Sequence, residues 1–238
     1  MKYYRLMTSL PPVKGDLKST SIPSLSKITH QIFSEVGGRD KDLVSSILWF
    51  VDTANAEAIL FEKDFFRKSG TLSREDFENK LDLPPFLDNI FRMEQGVVQK
   101  EILLKKLWES YFNALIEISR KYNSKFLQGY TEMEIGLRNA VAAARAKKLG
   151  IEEGKIQIFN GKNSFQYGSL VLRASEAKDP QERELVIDKA RLAYYLELEG
   201  IDPFSIDAVL AYLAKAMVID SWKTEKDADI EKMLEVFA

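Results

Sequence analysis

Four polar side chains within one predicted helix have the residue types that acid–base chemistry needs. They are Asp52, Asn55, Glu57 and Glu62. Carboxylates serve enzymes as general acids and bases, but steps of three, two and five do not align these groups in one row along a helix. Two interpretations follow: a small carboxylate-based active site, or a solvated helix face. The second, which we favour, allows one buried ion pair, between Glu57 and Arg138 or Arg145.

Other chemical signals are sparse. The chain has no cysteine and a single histidine, His30, which lies beside Ile28 and Ile32 in a predicted amphipathic helix and has no evident catalytic partner. Thiolate chemistry, disulfides and paired-histidine metal sites are therefore excluded by composition. No Asp/Asn/Gly calcium loop occurs either. We expect no catalytic residues, no metal and no cofactor.

The segment "NGKNS" resembles the end of a phosphate-binding loop only superficially. Such a loop needs a glycine four residues before its Gly-Lys pair and a Ser or Thr directly after the lysine. Here Ile156 occupies the glycine position, and Asn163 separates Lys162 from Ser164. The pattern predicts a simple turn.

The composition is that of an ordinary globular protein. The 238 residues are 45% hydrophobic and 29% charged, with a net charge of -2. Without an excess of positive charge, nucleic-acid binding is not expected. The N-terminal stretch lacks a secretory pattern, and charged residues interrupt every apolar run, so neither export nor a transmembrane helix is expected. The prediction is a cytoplasmic protein, which a membrane-embedded partner could hold at the inner face of the plasma membrane.

Helical periodicity dominates the chain. Apolar residues recur every three or four positions over 42–62 and again over 104–122, while strand patterns are few. We predict helix starts at Ser24 and Ser73, a helix break near Asn123 and a helix end at Gly150. The first residues, "YYRLMTSLPPV", alternate poorly and are predicted to be extended. The fold class is all-α, built from multi-helix bundles.

Three segments divide this pattern. Residues 1–95 form a predicted N-terminal helical lobe, 96–154 a pair of long central helices, and 155–238 a C-terminal helical lobe, all packed as one unit. The last lobe begins with a turn-rich stretch and ends with a short helix, "EKDADIEKMLEVF". The trio Trp49, Trp108 and Trp222 is expected in the core rather than as docking aromatics.

The central segment contains an alanine-rich helix, "EIGLRNAVAAARAKKLG", that suits close packing. Alanine has the highest helix propensity and lets neighbouring backbones approach. The spacing of seven places Arg138 and Arg145 on one face, and Lys147 and Lys148 follow near the C-terminal end, where cations favour the helix dipole. These four residues are the candidate partner-contact patch.

Four stretches together resemble a bacterial family encoded within V-type ATP synthase operons. They are "YYRLMTSLPP", "SILWFVDTANAEAIL", "EIGLRNAVAAARAKKLG" and "FSIDAVLAYLAKAMVIDSW". The last is also similar to the closing helices of the funnel-shaped connector protein of these complexes, which is designated C in V/A-type ATPases and d in the eukaryotic enzyme. The resemblance implies two or three connector-like helical lobes in a chain shorter than that connector.

The same resemblance implies a non-catalytic connector or assembly subunit between the central rotor shaft and the membrane proteolipid ring. Its partners would be shaft and ring proteins, and no small-molecule substrate is expected. Two alternatives stay open: a free-standing helical adaptor or assembly factor for the same complex, and the carboxylate-based enzyme considered above.

Overall fold

The structure, a computed structural model, is built from helices joined by loops and turns. It describes residues 2–13, 17, 23–94 and 99–236, the last fourteen of these as backbone only. Helices account for 75% of the residues, and the described ranges contain no strand. The predicted all-α class is therefore confirmed.

Ten α-helices follow one another along the described chain. They are α1 (Tyr4–Ser9), α2 (Leu25–Glu35), α3 (Arg39–Leu60), α4 (Arg74–Asn79), α5 (Pro85–Glu94), α6 (Lys100–Tyr122), α7 (Lys125–Leu149), α8 (Gly168–Ser175), α9 (Pro180–Leu198) and α10 (Ile206–Val236). Short 3-10 turns occupy much of the stretch between α7 and α8. The predicted turn at "NGKNS" lies among them and is confirmed.

Local chemistry sets several helix ends where the sequence predicts them. Ser73 and Asp76 form a reciprocal capping box at the start of α4. Asn123 adopts a left-handed conformation that ends α6, and the Ser124 hydroxyl then accepts from the Leu127 amide at 3.2 Å to start α7. Gly150, with φ of 66°, ends α7.

Two predictions at the chain ends are wrong. The N-terminal stretch is not extended, because α1 forms there and buries Leu6, while the Tyr3 amide donates to the Phe204 carbonyl at 3.1 Å. At the other end no break separates a short final helix, since α10 continues through it to Val236. The last residue of that predicted helix, Phe237, lies outside the described residues.

One hydrophobic core cluster connects the helices. It contains residues from all three predicted segments, with α6 packed on α3, α5 and α7, and α10 on α2, α3, α7 and α9. Val209, Leu210 and Leu213 of α10 are fully buried. The predicted boundary at 95/96 lies outside the described residues, and the division into three lobes stays a prediction.

Within the described ranges, one helix is long and apolar enough to cross a membrane by length and composition. It is α3, and 67% of its most apolar window is buried inside the protein. That burial is typical of a core helix.

Candidate functional site

A buried ionic network joins α7 to α9 and α10. The Arg191 guanidinium contacts Glu134 through Nε at 3.1 Å and Asp188 through Nη1 at 2.7 Å. The Tyr195 hydroxyl donates to Glu134 at 2.6 Å, and Trp222 Nε1 donates to Asp188 at 2.8 Å. Burial lowers the pKa of Arg191, but the two carboxylates outweigh it and raise the pKa well above its usual range. Arg191 is therefore a permanent cation, and the network around it links the three helices.

Cavities lie on both sides of this network. On one side, a cavity of about 210 Å³ is lined by α3, α7, α9 and α10. On the other side lies a groove of about 440 Å³, here called the α7 groove. Its apolar walls are Leu104, Val141, Leu149, Ile151, Ile156 and Ile187. Glu134, Glu184 and Arg191 line both spaces, so the network is the wall between them.

Arg138 enters the α7 groove from α7 and stacks on an aromatic ring. Its guanidinium carbon lies 3.7 Å from the Trp108 ring centroid, a cation–π contact. Trp108 Nε1 in turn donates to Glu57 at 2.8 Å. The expected direct ion pair of Glu57 with Arg138 or Arg145 is not found among the described residues, since Glu57 pairs with Lys63 at 2.7 Å. Trp108 thus lies between Glu57 and Arg138, which were predicted to form a direct ion pair.

The surroundings shift the pKa values of both Arg138 and Glu57. Burial lowers the pKa of Arg138 to about 10, although Glu57 and Glu134 oppose the shift. For Glu57, burial raises the pKa, but the hydrogen bonds from Lys63 and Trp108 outweigh it and the net pKa is lowered. Both groups therefore keep their charges at neutral pH.

The candidate patch on α7 divides into two parts. Arg138 and Arg145 line the same groove, as their spacing of seven predicts. Lys147 and Lys148 are exposed, and the buried Ala146 lies between Arg145 and this pair along the chain. Their contact with a partner stays a prediction.

The exposed end of α7 meets the start of α6. Lys105 Nζ donates to the Gly154 carbonyl at 3.1 Å, and Leu104 lines the α7 groove together with Leu149 and Ile151, so residues 100–106 meet residues 145–155 at these positions. These two stretches carry seven Lys or Arg residues and three Glu residues in a chain whose net charge is -2. We call this surface the basic end. Exposed apolar side chains stand within it: Ile102 (45% exposed), Leu149 (69%) and Ile151 (41%).

Asp52 and Asn55 do not lie on a solvated face, and that interpretation is wrong for both. Each is fully buried. The Asp52 carboxylate accepts from the Thr71 amide and hydroxyl at 2.9 and 2.5 Å and from the Leu72 amide at 3.1 Å. The Asn55 amide exchanges two 2.8 Å hydrogen bonds with the Arg67 backbone. These side chains hold the loop between α3 and α4.

Burial changes the acidity of Asp52. It raises the pKa from 3.8 to about 6, against the hydrogen bonds from Thr71 and Leu72, which lower it, and with a small contribution from the Asp76 charge. A shifted carboxylate is a common sign of a catalytic group. Asp52, however, directs its oxygens at backbone and hydroxyl donors of its own loop, and this accounts for its position without a substrate.

Asn139 is a second buried anchor, which the predictions from sequence do not include. Its side chain donates to the Ile158 and Lys162 carbonyls at 3.0 and 2.9 Å and accepts from the Ile158 amide at 2.9 Å. Gln157 adds a bond to the Asn139 carbonyl at 3.2 Å. The only sequence signal is an asparagine within an alanine-rich helix, where it is a poor helix former.

The remaining candidates have structural positions. Trp108 and Trp222 are buried, and Trp49 packs on Phe86 with ring centroids 5.3 Å apart, so the expected core placement of the tryptophans is confirmed. His30 is exposed on α2. Among the described residues, no group of three or more His, Cys, Asp or Glu side chains is arranged to hold a metal ion.

The fold and these contacts define a class: an all-α multi-helix protein whose buried polar groups hold its own helices and loops together, with a basic end at its surface. The chain belongs to the family described as "Protein of unknown function (DUF2764)", whose model matches residues 1–164. The match covers α1 to α7 and the first two 3-10 turns after α7, while α8 to α10 lie beyond it. No curated protein and no solved structure matches the chain.

Proposed function

We propose that this protein is a non-catalytic connector or assembly subunit of a V-type ATPase or ATP synthase, linking the central rotor shaft to the membrane proteolipid ring. The proposal begins from the sequence resemblance described above. Such a protein works mechanically, because torque passes through packed helices and complementary surfaces rather than through a reaction.

The observation that carries the proposal is the basic end. Protein contact surfaces combine exposed apolar anchors with a polar rim, and here Ile102, Leu149 and Ile151 are exposed in two stretches that carry seven cations and three glutamates. Positive charge of this kind selects a partner with an acidic surface and accelerates their encounter. Lys147 and Lys148 are candidate contacts that are exposed to solvent, as is Arg145.

The uses of the buried polar groups are consistent with a non-catalytic role. Asp52 and Asn55 bind one loop, Asn139 binds the turns after α7, and Glu134 is paired with Arg191. Each of these groups has hydrogen-bond partners within the protein and stabilises a connection between elements. A rigid body is what a mechanical connector requires.

The test is recovery of the tagged full-length protein from native membranes, followed by identification of its partners and an ATPase assay with and without it. We expect shaft and ring proteins in the recovered complex, and ATP hydrolysis uncoupled from ion pumping when the protein is removed. The Lys147→Glu/Lys148→Glu double variant should lower recovery about tenfold, because it reverses two interface charges.

The matched control is Lys27→Glu/Lys41→Glu, which makes the same charge change at exposed positions of α2 and α3. It should leave recovery unchanged. Equal loss in both variants would remove the basic end from the proposal. Recovery of the protein alone would overturn the connector function and leave the free-standing helical adaptor in its place.

A further inference from the structure

Arg138 presents an unusual charge arrangement. Its side chain is mostly enclosed, yet none of the described residues forms a hydrogen bond or an ion pair with its guanidinium. The contact with Trp108 covers one face of the guanidinium but satisfies none of its five N–H donors. An enclosed cation without a direct ion pair is costly, and burial lowers the pKa of Arg138 although the more distant Glu57 and Glu134 oppose the shift.

A second cation faces the same space. Arg145 lines the α7 groove two turns further along α7, and no described carboxylate forms an ion pair with it. The two carboxylates in the groove wall, Glu134 and Glu184, are both within ion-pair distance of Arg191. The lining of the groove thus carries three arginines, Arg138, Arg145 and Arg191, against two carboxylates, an excess of one positive charge.

The rest of the groove is apolar and opens at the basic end. Its aliphatic walls extend from Leu104 and Val141 to Leu149 and Ile151, and the last two are exposed at the mouth. Its volume of about 440 Å³ lies within the range of small-molecule sites, about 300–1,000 Å³. A ligand that matches these walls carries one anionic group and a long apolar body.

We infer that the α7 groove binds a long-chain anion, with the anionic head between Arg138 and Arg145 and the hydrocarbon chain along the aliphatic walls. The guanidinium groups supply charge-assisted, bidentate hydrogen bonds to a carboxylate or phosphate head. The chain removes apolar wall and ligand surface from water. This site does not depend on the proposed connector function.

The probe is sodium dodecanoate, titrated below its micelle concentration into the delipidated full-length protein. Calorimetry measures the stoichiometry and the affinity, and fluorescence reports on the three tryptophans, of which Trp108 lies directly beneath Arg138. We expect saturable binding of one dodecanoate per chain with a change in fluorescence. Dodecanol, which lacks the charge, and inorganic phosphate, which lacks the chain, should each bind at least about tenfold more weakly.

Three variants locate the site. Arg138→Gln should weaken dodecanoate binding at least about tenfold, because it removes a charge-assisted contact. Lys125→Gln is the matched control: it removes one positive charge from the exposed start of the same helix, outside the groove lining, and should leave the affinity unchanged. Ala142→Phe fills the groove without changing charge and should also abolish binding, with circular dichroism showing that each variant is folded.

Several results would overturn the inference. Dodecanoate that fails to saturate, or that binds Arg138→Gln and Ala142→Phe as tightly as the unmodified protein, would show that the groove is not its site. Phosphate that binds as tightly as dodecanoate would show a small-anion site without a chain subsite. Vesicles of anionic phospholipid, tested separately, show whether a lipid in a bilayer reaches the groove as free dodecanoate does; binding lost in Arg138→Gln would support it.

Discussion

Replacing Asp52 with asparagine should change how stability depends on pH. In the folded protein burial raises the pKa of Asp52 to about 6, whereas the usual value is 3.8. The folded state therefore holds this proton more tightly than the unfolded state does. The stabilisation from Asp52 protonation is fully present below pH 3.8 and is lost as the pH rises through about 6.

The magnitude follows from the two pKa values. With folded and unfolded pKa values of about 6 and 3.8, the contribution of Asp52 protonation to the free energy of unfolding is larger at pH 4.5 than at pH 7 by about 2 kcal/mol. Asparagine does not titrate, and its amide can accept from the Thr71 and Leu72 amides while donating to the Thr71 hydroxyl. The fold should therefore survive the substitution.

The assay is urea unfolding followed by circular dichroism at several pH values from 4.5 to 7.5. The stability difference between Asp52→Asn and the unmodified protein should move by about 2 kcal/mol in favour of the variant as the pH rises. Asp64→Asn, an exposed carboxylate in the same loop, is the control. A difference that stays constant with pH would refute the argument that burial controls this carboxylate.

Three further substitutions test the internal contacts by urea unfolding. Gly70→Ala should destabilise the protein by about 2 kcal/mol, because the added Cβ would overlap Oδ1 of Asp52 and lie 3.1 Å from its Cγ. Glu134→Gln should lower the free energy of unfolding by about 3 kcal/mol, because the neutral amide leaves the positive charge of Arg191 less compensated inside the protein. Asn139→Ala should cost about 3 kcal/mol and increase hydrogen exchange over residues 157–162, since buried backbone groups lose their partners.

Each of these variants has a control on the same kind of element. Gly37→Ala places its Cβ where nothing lies within 4 Å, while Glu132→Gln and Asn113→Ala alter exposed helix positions. Changes at such positions are usually within about 0.5 kcal/mol. Equal effects in a test variant and its control would contradict the contact assigned to that residue.

The helices could be predicted because their signals are local. The apolar stripe over 42–62 predicted α3, and the chemistry of Asn123, Ser124 and Gly150 fixed the ends of α6 and α7. The error in α1 is also local. A six-residue helix has too little periodicity to recognise, and its stability depends on contacts such as that between Tyr3 and Phe204.

The polar interior could not be predicted because its partners are distant in sequence. Asp52 accepts hydrogen bonds from Thr71, nineteen positions away in the sequence, and Glu134 accepts from Arg191, fifty-seven positions away. A helix pattern alone cannot separate a carboxylate that faces water from one that binds another loop. The spacing of Arg138 and Arg145 did predict a shared face, but only the packing of α6 and α9 made that face a groove.

The buried face of α10 determines which part of the chain can be made on its own. The family match ends at residue 164, yet α10 covers α2, α3 and α7 with residues such as Val209 and Leu213. A fragment cut at 164 would expose those three apolar faces together, and exposed apolar faces of this kind promote aggregation. Expression trials should therefore treat residues 1–164 and helices α8 to α10 as a single cooperative unit.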